Sequence, residues 1–271
     1  MAAILSSLSL SATAVLCSVL ALWLLSIRLR DVSIIDLAYG LLIGAVALLG
    51  FLRSDSRGEL QYLALAAITI WMTRYTLHVF RRNIGKGEDP RYTRLRGWVG
   101  SERAFRWFSL RQVFLHQGVV IWLISLPLQL IMCGPATAAG ILAYAGLLLW
   151  GAGFITEAVA DRQLTRFRNN PAQRGQILDT GLWRYSRHPN YFGDACVHWG
   201  IYLMACSVPW GAATIIGPVA ITHYLLNVTG MRTLEKKMLR EKPAYADYVK
   251  RTSGFVPLPP LRNARLRADR S

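Results

Sequence analysis

From its first residue the chain alternates long apolar stretches with short, mostly basic connections. Crossing the hydrocarbon of a bilayer as helix takes about 20 apolar residues. Seven runs approach that length: 4–27, 32–52, 60–80, 112–133, 137–158, 191–207 and 209–230. The pattern predicts an all-α polytopic membrane protein with about seven transmembrane helices. The sixth run is the most interrupted, by Asp194 and His198. The first has no Lys or Arg ahead of its apolar core and ends at Arg28 and Arg30, which predicts a retained span rather than a cleaved leader. There is no internal repeat, and no polar connection is long enough to form a soluble domain. Residues 1–259 are therefore expected to form one integral-membrane domain, and 260–271, with its alternating arginines, a disordered basic tail near anionic lipid.

Composition sharpens this picture. Of 271 residues, 53% are hydrophobic and 17% charged, against roughly a quarter charged in soluble domains. The net charge of +16 suggests nucleic acid, an anionic membrane face or a phosphorylated ligand, and the positions of the bases decide. Arg28, Arg30, nine bases between 81 and 111, six between 159 and 190 and eleven from 232 onward fall on one side of the seven spans, while Arg53 and Arg57 fall on the other. Short basic loops stay cytoplasmic, so the N-terminus is expected outside and the C-terminus in the cytoplasm. A nucleic-acid partner is not required. A bacterial inner membrane is the simplest location, and the endoplasmic reticulum obeys the same rule. Cys17, Cys133, Cys196 and Cys206 form no CxxC pair and no two histidines have ligand spacing, so neither a disulfide framework nor a metal site is expected.

Ionisable groups at membrane depth are costly and mark candidate sites. Here they are Asp36, Arg74, His78, Glu157, Asp161, Asp194, His198 and His223. They are densest in 157–199. A helix puts Glu157 and Asp161 on one face, with Thr165 and Arg168 continuing the stripe. Asn170, Pro171, Gly175, Gly181 and Pro189 then break the helix, and Arg184, Arg187 and His188 precede a restart near Asn190. A helix N-terminus beside arginines can hold a phosphate. These arginines alternatively serve as topology signals, but four of them, at 166, 168, 184 and 187, exceed what topology needs. No GxGxxG and no Walker lysine loop is present. In RRNIGKGEDPRYTRLR, residues 81–96, Tyr92 reads either as a general acid or as an interfacial aromatic.

The stretches LDTGLWRYSRHPNYFGD, EAVADRQLTRFR, GKGEDPRYTRLRGW and PAYADYVKRTSGFVPLPP resemble the DUF1295 membrane family, which belongs with the steroid 5-alpha-reductase C-terminal domain family. The resemblance implies a seven-helix fold that admits NADPH from the cytoplasm and reduces a carbon–carbon double bond conjugated to a carbonyl in a steroid- or lipid-like substrate. It puts Asp161 and Arg168 at cofactor-binding positions, with Tyr185, Asn190 and Asp194 in a second cofactor motif. Glu157 stands where the steroid enzymes have an asparagine, Thr165 replaces an arginine and Asp194 shortens a glutamate. Arg187 and His188 belong to an RHP triplet typical of sterol reductases and of isoprenylcysteine carboxyl methyltransferases, which use S-adenosylmethionine; the methyltransferase is the alternative reading, and a transporter or scaffold a third. His188 is expected to face the cofactor. Asp36, Tyr75 and Tyr92 are the candidate catalytic residues, with Asp36 orienting a tyrosine hydroxyl toward a carbonyl.

The charge pattern makes a direct prediction. A phosphatase reporter inserted in loop 53–59 is expected to be active and one inserted near 175 inactive; the reverse pattern would contradict the orientation.

Overall fold

The computed structural model describes residues 2–55, 57–228 and 230–261. Most of the described residues are helical and none lies in a strand, with one isolated bridge between Ser186 and Ser253. The helices are α1 Ala2–Leu29, α2 Ile34–Arg53, α3 Glu59–Asn83, α4 Pro90–Val99, α5 Glu102–Ser109, α6 His116–Ile124, α7 Leu126–Cys133, α8 Ile141–Asn169, α9 Pro189–Ala205, α10 Ile216–His223, α11 Met231–Glu241 and α12 Tyr245–Arg251. The tail expected to be disordered lies, from 262 onward, outside the described residues.

Five segments are long and apolar enough to cross a membrane: Ile4–Leu29, Ile34–Arg53, Glu59–Asn83, Ile141–Asn169 and Gly211–Glu241. Glu102–Ile124 with Leu126–Cys133 makes a sixth, bent by 47°. Pro127 explains the bend, because it cannot donate to the Leu123 carbonyl one turn back. Gly217 of α10 packs over that freed carbonyl, where a Cβ would come within 2.9 Å. The expected sixth span, 191–207, differs. Its run forms α9, only 17 residues long, with Asp194 and His198 buried in it.

The chain divides into two compact units. One holds the chain up to Leu147 together with Ile201–Ala220; the other holds Leu148–Gly200 and the chain from Ile221.

In the first unit α2 packs against α3 through a glycine stripe. A Cβ on Gly40 would lie 2.9 Å from Tyr75 Cδ1, and one on Gly44 1.9 Å from Met72 Sδ. Small residues four apart let helix backbones approach where lipid offers no hydrophobic drive for association. Asp36 precedes Gly40 by one turn, so the same crossing places it beside α3. Buried polar groups add a second tie: Gln129 Nε2 donates to Ser125 Oγ at 2.8 Å, and Trp122 Nε1 donates to Ser11 Oγ at 3.1 Å. α1 ends in a Schellman motif, with Asp31 N donating to Ser26 O at 3.1 Å. Its left-handed residue is Arg30, at φ 54°, where glycine would avoid a cost of about 1–2 kcal/mol.

In the second unit α8 and α9 meet in the same manner. A Cβ on Gly153 would lie 2.6 Å from Gly193 O, and one on Gly193 2.5 Å from Glu157 N. Gly193→Ala is therefore expected to lower stability by about 1–3 kcal/mol, read as a drop in melting temperature in detergent. Gly97→Ala is the control: its Cβ would meet nothing within 4 Å, and it is expected to hold or raise stability.

Candidate functional sites

The structure gathers the sequence-predicted residues into two clusters, one within each unit. In the first unit the GKGED connection folds onto the start of α2. Gly85 and Gly87, at φ 75° and 71°, supply left-handed turns that bring Glu88 and Asp89 round. Glu88 Oε1 accepts from Val32 N at 3.0 Å, and Arg96 holds the same carboxylate through Nε at 3.1 Å and Nη2 at 2.8 Å. Asp89 caps α4 by accepting from Arg91 N at 2.8 Å.

This docking delivers Tyr92 to Asp36. The Tyr92 hydroxyl donates to Asp36 Oδ1 at 3.0 Å and accepts from Gln117 Nε2 at 3.3 Å. Arg91 Nη2 donates to Asp36 Oδ2 at 2.6 Å. Tyr92 is 6% exposed. Burial, followed by the negative charge of Asp36, pushes its phenol well above the ordinary tyrosine range, so it stays a protonated donor. Tyr75 reaches the same residue differently: its hydroxyl donates to the Asp36 backbone oxygen at 3.4 Å, and its ring stacks on Trp71 at 5.3 Å. The three candidate catalytic residues thus share one place. The sequence reading missed Arg91 and Gln117; Gln117, a polar residue inside an apolar run, carried a signal.

The second cluster lies between α8 and α9. Glu157, Asp161, Asp194 and His198 are buried, while Arg168 is exposed and Tyr185 is 43% exposed. The α8 stripe therefore runs from buried acids to exposed base. Asn190 Nδ2 donates to Asp161 Oδ1 at 3.2 Å. A carboxylate only accepts, so this contact fixes the amide orientation and leaves Asn190 Oδ1 buried with no hydrogen-bond partner among the described residues. Asp194 Oδ1 stands 3.5 Å from His198 Nε2.

Arg187 and His188, expected to serve a cofactor, are both engaged with Glu235. Arg187 grips Glu235 with Nε at 2.7 Å and Nη2 at 3.1 Å, and its Nη1 donates to the Val249 carbonyl at 3.1 Å and to that of Thr252. His188 Nε2 lies 3.1 Å from Glu235 Oε1, and its ring stacks on Tyr191 at 5.3 Å. The backbone continues the clamp: Arg187 N donates to Ser253 O at 2.8 Å, Ser186 Oγ to Phe255 O at 2.8 Å and Leu258 N to Tyr185 O at 3.0 Å. On the other side Trp183 Nε1 donates to Ala160 O at 3.2 Å, and Gln163 Oε1 accepts from Leu182 N at 3.1 Å. The LWRYSRHP segment is thus fastened to α8 and to the C-terminal segment. Burial, followed by the charge of Glu235, pushes the Tyr245 phenol up to about 12, so it too stays neutral beside the clamp. Glu235 was missed as well, although it sits on the stripe Met231, Leu234, Glu235, Met238, a carboxylate on an otherwise apolar helix face.

Comparison with known proteins gives the family. The DUF1295 profile, described as a protein of unknown function, matches residues 22–252. The chain belongs to the DUF1295 family. An uncharacterized protein of Schizosaccharomyces pombe is 25% identical over 269 positions, covering 87% of this chain and 75% of that relative. No solved structure matches. Both clusters fall inside the matched span of this DUF1295 chain.

The clamp predicts that Arg187→Ala, which strands the mostly buried Glu235 carboxylate and two carbonyls, lowers stability by about 3 kcal/mol. Arg187→Lys is expected to restore little, because an ammonium cannot reproduce the fork. Melting temperatures of the three proteins check this.

Proposed function

We propose that this DUF1295 protein is a membrane-embedded, NADPH-dependent reductase of a carbon–carbon double bond conjugated to a carbonyl in a steroid- or lipid-like substrate. The observation that carries the reading is the buried Tyr92 hydroxyl held at 3.0 Å by an Arg91-paired Asp36. A protonated phenol fixed in an apolar unit is the donor that a developing enolate oxygen needs. The resemblance to steroid 5-alpha-reductases points to the same chemistry.

The second cluster fits part of such a cofactor. One of its buried atoms without a hydrogen-bond partner, Asn190 Oδ1, is an acceptor among carboxylates, suited to a ribose hydroxyl or a carboxamide N–H and unsuited to phosphate. Phosphates would fall to the exposed Arg166, Arg168 and Arg184, with Tyr185 beside them, while Arg187 and His188 hold the site's frame. Asn190, Asp161, Glu157 and Asp194 would hold the sugar or nicotinamide end.

When bound, NADPH supplies a hydride to the β-carbon of the enone. As the double-bond pair moves toward the carbonyl oxygen, Tyr92 turns its hydroxyl hydrogen from Asp36 Oδ1 to that oxygen. Gln117 steadies the phenol oxygen, and Arg91 holds the Asp36 side chain in place. A proton from water at the α-carbon completes the saturated ketone. A fixed donor of this kind is worth about 3 kcal/mol of barrier, or roughly a hundredfold in rate.

Binding tests the reading before a substrate is in hand. NADPH is expected to raise the melting temperature of detergent-purified protein, and Asn190→Ala to abolish the rise while Tyr92→Phe keeps it. Stabilisation by S-adenosylmethionine alone would move the protein to the methyltransferases and overturn the proposal. On a reducible enone, Tyr92→Phe is expected to lower kcat by about a hundredfold.

A further inference from the structure

Apart from both clusters, a cavity of about 170 Å³ lies in the first unit at the basic end of α1, lined in part by Ser26, Arg30, Arg96, Glu102, Arg106 and Ser109. Three guanidinium groups there face one carboxylate. Glu102 is matched, since Arg96 Nη1 donates to it at 2.8 Å, and the rest of Arg96 is held by Glu88 and lies over the Phe105 ring at 4.2 Å. Arg30 and Arg106 carry exposed side chains with no ion pair among the described residues. The cavity therefore has a rigid basic wall and two uncommitted cations.

Arg30 adds a second, independent observation. It holds the left-handed position of the Schellman motif at φ 54°, a place glycine fills without strain. The cavity lining therefore carries a cation at a position whose backbone favours glycine. The hydroxyls of Ser26 and Ser109 now donate to Trp23 O at 2.7 Å and Arg106 O at 2.9 Å, and can rotate to a ligand. Size sets the ligand class. A pocket for a drug-sized molecule measures roughly 300–1,000 Å³, so this one suits an anionic group of a few heavy atoms and excludes a whole dinucleotide. The span Ile4–Leu29 ends one residue before Arg30, which puts the cavity at the depth of lipid head groups.

We propose that this cavity binds a phosphate ester, presented by a lipid head group or by a soluble phosphate, with Arg30 and Arg106 as its ligands and Arg96 as its fixed wall. The inference does not depend on the reductase reading.

Arg30→Gly is the informative variant, because glycine relieves the left-handed backbone while removing the guanidinium; Arg106→Gln is the second. The full chain in uncharged detergent is titrated with inorganic phosphate in one arm and with short-chain phosphatidic acid in the other, reading the melting temperature. A rise with phosphatidic acid alone identifies a lipid head group, and a rise with inorganic phosphate identifies a site open to soluble esters. In either case both variants are expected to weaken apparent affinity at least tenfold while folding as the wild type does. No rise with either probe, or a wild-type response from both variants, would overturn the proposal.

Discussion

Helix backbones brought into contact at glycine set where the acidic groups of this protein stand. Gly40 and Gly44 let α2 lie against α3, and Gly153 and Gly193 let α8 lie against α9. Each crossing carries a carboxylate one turn or less away: Asp36 before Gly40, Glu157 after Gly153 and Asp194 beside Gly193. A larger residue would separate the helices and withdraw those acids from their partners. In a medium that supplies no hydrophobic drive between helices, such contacts and interhelical hydrogen bonds hold the scaffold.

The acids then recruit the connections. Asp36 takes Tyr92 and Arg91 from the segment after α3, and Asp161 takes Asn190 from the start of α9. Glu235 on α11 takes Arg187 and His188. An ionised group with poor access to water must find its counterpart within the chain, so the basic loops that a charge count assigns to topology also fasten the fold. Arg187 shows both roles in one residue: it adds to the positive side of the charge asymmetry, and its guanidinium closes a loop on the C-terminal segment.

Apolar run length and the positions of prolines made most of the helices legible in the sequence, and the helical spacing of Glu157 and Asp161 placed both on one buried face. The restart expected near Asn190 is α9, beginning at Pro189. The pairing of Asp36 with a tyrosine hydroxyl was expected only through the family resemblance; which tyrosine depended on how the GKGED turn docks, a tertiary matter. The role of Arg187 was not legible, because its partner lies 48 residues away on a helix that reads as a solvated charged segment. Only the position of Glu235 on the apolar stripe of α11 hints at a buried partner. The bend at Pro127 and the short α9 explain why counting apolar runs gave seven spans where five or six segments meet the length and composition of one.

The central proposal is that this chain reduces a conjugated double bond with hydride from NADPH, with Tyr92 as the donor to the carbonyl oxygen. Its most direct test is isotope transfer. The purified protein is incubated with a membrane lipid extract, NADPH deuterated at the transferable position and methyl-labelled S-adenosylmethionine, and the lipids are read by high-resolution mass spectrometry. The account predicts an enone lipid that gains one carbon-bound deuterium and loses its double bond, with the signal falling sharply in Tyr92→Phe. Transfer of the labelled methyl group without deuterium would contradict it.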